Sequence, residues 1–303
     1  LYEFLNNGVS MTLAYTRSSG LDHYGSPAIA DIDADGLPEI VIGWEGIVQA
    51  YEHDLTPKWV YTTGGVYPST VSIAELDGND GGAPEIVHVN QVAAGERRLL
   101  DAQMLVLPGG FSYGDDLGAG KLWALELRYR LGDALARFHA ARRPILGICN
   151  GFQALVKTGF LPGPLTEDAP AANATGSPSD LVQTATLTRN AAGHFECRWV
   201  HLRPQPDSVC VFTRGLDDLI FCPVAHGEGR FELAAAADLP RLQAQGQIAL
   251  TYVDAAGAPA AGAYPLNPNG SLADIAGICD RTGTIFGLMP HPEDHLSPVQ
   301  HPA

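Results

Sequence analysis

The sequence predicts an α/β fold, a flavodoxin-like parallel sheet with a nucleophile elbow, over residues 85–303, preceded by an incomplete all-β, propeller-type repeat over residues 1–84. Three observations carry this. From Pro84 onward, apolar runs of strand length alternate with helically spaced segments, which is how a parallel sheet covered on both faces reads. Within that part, Gly147-Ile148-Cys149-Asn150-Gly151 stands between an apolar run and a helical one. Before Pro84, an acidic motif occurs twice at about the spacing of propeller blades.

The bulk properties bound the alternatives. With 303 residues, 46% of them hydrophobic, the chain has room for about two domains. No run approaches the ~18 uninterrupted apolar residues of a membrane helix. The first residues, Leu1-Tyr2-Glu3-Phe4, lack the basic start of a signal peptide, so no membrane partner is expected. The absence of an initial Met makes Leu1 read as an internal position of a longer product, with any upstream targeting segment left open. The net charge of -16 argues against nucleic acid, which needs a Lys/Arg surplus on some face. The charge is uneven: residues 1–85 carry 13 Asp/Glu against Arg17 and Lys58 alone, and residues 86–303 carry 21 against 16 Lys/Arg. Five cysteines (Cys149, Cys197, Cys210, Cys222, Cys279) with no C-x-x-C pair suit reduced thiols in a cytoplasm better than disulfides or zinc.

In the first part, Ala28 to Val41, with Asp31, Asp33, Asp35 and Gly36, is echoed by Ser72 to Val87. Each copy reads as a strand, an acidic loop and a second strand. Calcium takes six to eight oxygens, and the first loop offers the carboxylates of Asp31, Asp33, Asp35 and Glu39 and the Leu37 carbonyl, with Gly36 making the bend. A solvated acidic turn is the plainer alternative. It gains ground in the second copy, where Gly81-Gly82 disturbs the spacing. Both copies resemble the FG-GAP repeats of integrin-type propellers, a resemblance that implies Ca2+ and a usually extracellular setting.

In the second part, residues 85–90 and Met104 to Pro108 read as buried strands, Leu122 to Arg137 as one helix with Leu125, Leu131, Leu135 and Phe138 spaced along it, and Pro144 to Ile148 as a further strand leading into a helix. Residues 162–180, rich in Pro, Ala, Gly and Ser, read as a loop. Cys149 then stands on a tight strand-to-helix turn that small neighbours permit, with the helix amino terminus favouring a thiolate. A nucleophilic cysteine needs a base and an orienting partner. Met289-Pro290-His291-Pro292-Glu293 supplies both, as His291 and Glu293 can point the same way around a proline. Gly109 and Gly110, after a strand, offer backbone N–H groups to a developing oxyanion, joined by the N–H of Asn150. The other four cysteines read as small core residues.

The runs Pro108-Gly109-Gly110-Phe111-Ser112-Tyr113-Gly114-Asp115, Gly147 to Gln153, Cys197-Arg198-Trp199-Val200, Pro223 to Phe231, Asn267-Pro268-Asn269-Gly270-Ser271 and Met289 to Glu293 together resemble the glutaminase subunits of phosphoribosylformylglycinamidine synthases, which are class I glutamine amidotransferases. The resemblance covers about residues 85–303. It implies hydrolysis of L-glutamine to glutamate and ammonia through a Cys149, His291, Glu293 triad, with Gln153, His226 and Gly227 lining the glutamine pocket. It also implies that ammonia passes to a separate synthetase subunit, which uses ATP and Mg2+ to amidate formylglycinamide ribonucleotide in purine biosynthesis, and that a small accessory subunit joins them. The glutaminase itself needs no cofactor.

The chain departs from that pattern in one respect. The family opens with a strand, a loop and a helix ahead of the strand matching 85–90, and acidic repeat sequence stands there instead, so that the join near 84–90 can be natural or artefactual. An interior strand is then expected to be missing, with 38–42 or 28–32 as the runs able to fill its place. Two other readings stay open: a secreted calcium-binding propeller-type module whose amidotransferase half is vestigial or artefactually fused, and a cysteine hydrolase acting on other amides.

Overall fold

A computed structural model of the chain describes residues 2–6, 11–16, 28–30, 39–44, 47–52, 56–62, 87–115, 117–164 and 181–295. Strands β1 (Tyr2–Asn6) and β2 (Met11–Thr16) pair antiparallel. Strands β3 (Ala28–Ala30), β4 (Glu39–Trp44), β5 (Ile47–Tyr51) and β6 (Pro57–Thr62) form an antiparallel sheet in sequential order. The runs proposed to fill an interior gap are therefore engaged with each other, Ile29 opposite Ile40. Adjacent strands joined by a short connection close a hairpin at far lower entropic cost than either would meet in reaching a distant sheet. The acidic residues Asp31, Asp33 and Asp35, Leu37 with its carbonyl, and nearly all of the second acidic copy lie outside the described residues, and of Glu39 only the backbone is described.

The strand expected over 85–90 is not formed in its described part. Val89–Ala93 is a short helix, α1, and Glu85 and Ile86 lie outside the described residues. The cause is local: His88 Nδ1 accepts the Asn90 N–H at 3.1 Å while Gln91 Oε1 takes the His88 N–H at 2.9 Å, a reciprocal cap that starts a helix where apolar content alone suggested a strand.

Beyond it come β7 (Leu105–Leu107), α2 (Lys121–Tyr129), α3 (Gly132–Ala140), β8 (Ile145–Ile148) and α4 (Asn150–Thr158). The single helix expected over 122–137 is two helices. The chain leaves helical geometry at Leu131 (φ −116°, ψ 0°), which is buried, and restarts at Gly132, while Leu125 is exposed rather than facing the core. After the turn, α3 buries Leu135 and Phe138.

The remaining strands are β9 (Ala185–Thr188), β10 (Glu196–Pro204), β11 (Ile220–His226), β12 (Arg230–Leu233), β13 (Ile248–Val253), β14 (Ile275–Cys279) and β15 (Ile285–Leu288), with helix α5 (Leu239–Ala244) between β12 and β13. Seven strands make one sheet in the order β11-β10-β13-β14-β15-β8-β7, and β9 pairs with β12 beside it. The sheet is mixed, not parallel throughout as predicted: only β7, β8 and β15 run parallel, and β10, β11, β13 and β14 join antiparallel. These later strands are linked without intervening long helices, and a parallel crossover needs such a connection. Among the described residues the seven hydrogen-bond in unbroken succession, with β11 at one edge and β7 at the other. No described helix is long and apolar enough to cross a membrane.

Candidate active site

The parallel trio places the site. Because β8 and β15 run side by side in register, Ile148 opposite Leu288, their carboxyl ends emerge together. The residue after β8 is Cys149, and three residues after β15 comes His291. The Cys149 N–H donates to Leu288 O at 2.8 Å, and the His291 N–H to Pro223 O at 2.8 Å, tying the ends of β8 and β15 together and the segment after β15 to the middle of β11.

Cys149 takes φ 49°, ψ −102°, a conformation a side-chain-bearing residue adopts only under constraint. Its two glycines show the constraint. A methyl group on Gly151 would collide with the Leu107 carbonyl, and one on Gly147 would fall 2.6 Å from Leu155 Cδ1. The elbow thus wedges α4 against β7 and leaves the Cys149 side chain at the sheet edge, next to the first turn of α4.

His291 and Cys149 converge over Gly109, where an added Cβ would lie 2.9 Å from His291 Cε1 and 3.5 Å from Cys149 Cβ. His291 Nδ1 is 2.7 Å from Glu293 Oε1. Its Nε2 is buried and makes no full hydrogen bond among the described residues, and Cys149 is the group beside it. Contacts of this kind are often loose before substrate arrives. Burial opposes the imidazolium, but the Cys149 and Glu293 charges and hydrogen bonds outweigh it and hold the His291 pKa well above its ordinary value.

Beside the sulfur opens a cavity of about 290 Å³, whose lining includes Gly110, Gln153, His226, Gly227 and Glu228. Its charged lining is of both signs, Arg189 on one hand and Asp115 and Glu228 on the other. Burial first, then the Glu228 charge, push the Asp115 carboxyl up to about 6. The Ala225 carbonyl lies 3.8 Å from Cys149 Sγ.

Of the residues singled out from sequence, Cys149, Gly110, Gln153, His226 and Gly227 border this cavity, Gly109 underlies the sulfur, and Glu293 reaches it through His291. Two of the residues singled out also brace the chain through their side chains. Asn150 is wholly buried, and its side chain is a brace, with Oδ1 accepting from the Ser112 N–H at 3.2 Å and Nδ2 donating to Gln153 Oε1 at 2.9 Å. Gln153 is committed inside the chain as well, donating from Nε2 to Glu228 O at 2.7 Å. Sequence reasoning gave no role to Asp115, Arg189 or Glu228. Asp115 and Glu228 lie within runs that drew attention as blocks, and only folding reveals which members of those blocks face the cavity. Among the described residues no cluster of His, Cys, Asp and Glu is arranged to hold a metal.

Residues 62–303 match the CobB/CobQ-like glutamine amidotransferase domain. The chain belongs to this family. Its relatives include the phosphoribosylformylglycinamidine synthase subunit PurQ of Treponema denticola, 50% identical over 219 residues that cover 71% of this chain and 80% of the relative. The subunit of the same name from Dehalococcoides mccartyi is 47% identical over 222 residues, covering 73% and 79%. The solved structure of PurLQS from Thermotoga maritima aligns with 29% identity and a TM-score of 0.47, covering 68% of this chain and 76% of that one. The amidotransferase is therefore an enzyme of the glutamine-dependent class, with the mixed sheet described above as its fold.

Proposed function

We propose that this amidotransferase hydrolyses L-glutamine to glutamate and ammonia with Cys149 as nucleophile, His291 as acid and base and Glu293 as its orienting partner. The observation that carries the reading is the convergence of the strained Cys149 and the Glu293-bound His291 over Gly109. The sulfur attacks the carboxamide carbon and the carbonyl electrons move to oxygen, within reach of the backbone N–H groups of Gly110 and Asn150. The oxyanion then collapses to a thioester as the imidazolium proton goes to the departing NH2, which leaves as ammonia. Water, giving its proton to His291, attacks the thioester. The C–S bond breaks, and glutamate leaves.

A cavity lined by Arg189 and by Asp115 and Glu228 suits a zwitterion, the cation meeting an α-carboxylate and the carboxylates an α-ammonium. Ammonia would pass to a synthetase subunit that amidates formylglycinamide ribonucleotide in purine biosynthesis, with ATP and Mg2+ held there and a small accessory subunit completing the assembly. What supports this is the 40 to 50% identity to subunits bearing the phosphoribosylformylglycinamidine synthase name. All five cysteines are free, in keeping with a cytoplasmic setting. The test is glutamate release from glutamine. Cys149→Ala should lower it by about 10⁴-fold or more with unchanged melting, and a glutamine-like chloroketone should label Cys149 ahead of Cys222, whose buried thiol is pushed up to about 12. Retained turnover in Cys149→Ala removes the assignment.

A Ca2+ ion at Asp31, Asp33, Asp35, Leu37 and Glu39, within an FG-GAP-like unit, is a separate proposal. Its support is the ligand spacing and the pairing of Ala30 with Glu39, which brings the loop ends together. Calorimetry should give one weak site, with a Kd of about 10⁻⁴ to 10⁻³ M, and no heat in Asp31→Ala would confirm its place.

A further inference from the structure

Among the described residues β11 is an edge strand, paired with β10 on one side only. An edge leaves a row of backbone carbonyls without strand partners, and alternate residues of a strand present theirs to the same side, about 7 Å apart. Three successive carbonyls of this kind on β11 are met by groups at or next to the candidate site. The Ala225 carbonyl lies 3.8 Å from Cys149 Sγ, the Pro223 carbonyl accepts the His291 N–H at 2.8 Å, and the Phe221 carbonyl lies 2.7 Å from His295 Nδ1. The first two partners are the proposed nucleophile and base. The third is a residue without a role so far, four positions beyond His291.

A carbonyl oxygen only accepts, so the His295 ring carries a proton on Nδ1 and donates it. The half-buried ring is held from a second direction as well. The Trp199 and His295 rings meet nearly at right angles with centroids 4.9 Å apart, and Trp199 in turn packs on Phe221 at 4.9 Å. Between His291 and His295 runs a single 3₁₀ turn, Pro292–Asp294, in which the Asp294 N–H donates to His291 O at 3.2 Å and the His295 N–H to Pro292 O at 3.1 Å. The turn is thus fastened to β11 at both ends, by the His291 backbone at Pro223 and by the His295 side chain at Phe221, and Glu293 rides between the two fastenings with its Oε1 2.7 Å from His291 Nδ1. Fastened at one end only, the turn could swing its carboxylate, and a catalytic constellation has to hold within about 0.5 Å. We propose that His295 is a positioning residue, whose Nδ1–H on the Phe221 carbonyl sets where Glu293 meets His291. The role rests on the triad reading of Glu293; the hydrogen bond itself does not.

The experiment compares two substitutions in the full chain, with glutamate release from glutamine counted per active site titrated by the chloroketone. His295→Phe keeps a flat ring against Trp199 and removes the donor, whereas His295→Asn keeps an N–H near the place of Nδ1 and removes the ring. His295→Phe should lower kcat about tenfold, the size of one lost hydrogen bond, with KM little changed, and His295→Asn should lose less. The opposite order makes His295 a packing residue and overturns the proposal. A second readout separates action through Glu293 from a general loosening of the site. The double variant His295→Phe with Glu293→Gln should turn over about as fast as Glu293→Gln alone, because two changes to one linkage do not add, and losses that multiply overturn the proposal. A slowed Glu293→Gln beside an unchanged kcat in His295→Phe overturns this inference alone, and a Glu293→Gln that keeps full turnover overturns the triad reading and this inference with it.

Discussion

Two histidine–carboxylate pairs sit at different places in this molecule. His291 Nδ1 meets Glu293 at 2.7 Å beside the cavity, and His139 Nε2 meets Asp280 at 3.0 Å where α3 packs against the β14–β15 turn. Distance does not separate them. What separates them is the surroundings. Asp280 also accepts from Thr282 Oγ1 at 2.7 Å and from the Ile285 N–H at 2.9 Å, so its carboxylate is used up in holding the turn. Glu293 Oε2 and His291 Nε2 are both buried without a hydrogen-bond partner among the described residues, and the second stands next to a strained cysteine. A satisfied pair holds structure, and an unsatisfied pair beside the proposed nucleophile is available for the proposed chemistry.

Substitutions at the two pairs should therefore fail in opposite ways. Glu293→Gln is expected to lower kcat for glutamine by about 10² to 10⁴-fold while melting stays close to the parent. A variant that melts far lower yet turns over normally would dissolve the distinction. Asp280→Ala should leave kcat per folded molecule unchanged and lower stability by about 3 to 5 kcal/mol, the usual result of leaving one member of a buried pair alone, as read by denaturant unfolding.

The pH dependence sharpens the comparison with smaller effects. Burial would raise Asp280, but the His139 hydrogen bond, the Ile285 and Thr282 donors and the His139 charge win, and its pKa is lowered. A carboxylate depressed on folding adds stability that is present above its unfolded value near 3.9 and is lost as pH falls through the folded one. The parent should lose that increment in acid and Asp280→Asn should not. Asp115 has the opposite sign. Its folded pKa, pushed up to about 6, means that stability falls as pH rises from about 4 through that value, and Asp115→Asn should remove this slope from unfolding curves measured across it. A slope that survives the substitution places its source elsewhere.

The elbow was legible because close packing leaves a local signature. Gly147 and Gly151 touch Leu155 and Leu107, and residues that cannot carry a Cβ must be written as glycine. The pairing of His291 with Glu293 was legible for a related reason: a proline between two side chains fixes their relation within three residues. The errors arose where sequence holds no information about neighbours. Apolar content over 85–90 suggested a strand, and a side-chain cap started a helix at Val89. Apolar spacing over 122–137 ran on past the break at Leu131. Leu125 fitted the same spacing and is exposed.

By itself the sequence singled out the proposed nucleophile, its proposed base and the glycines around them, because each depends on contacts a few residues away or on a backbone shape that only certain residues permit. Tertiary structure alone decided that the sheet is mixed, that β8 and β15 lie in register and so bring Cys149 to His291, and that Asp115, Arg189 and Glu228 face one cavity. It also decided the difference between His139 and His291. Both have a carboxylate partner, and their roles depend on what the fold brings to the other atoms of the pair, which are residues far away in sequence.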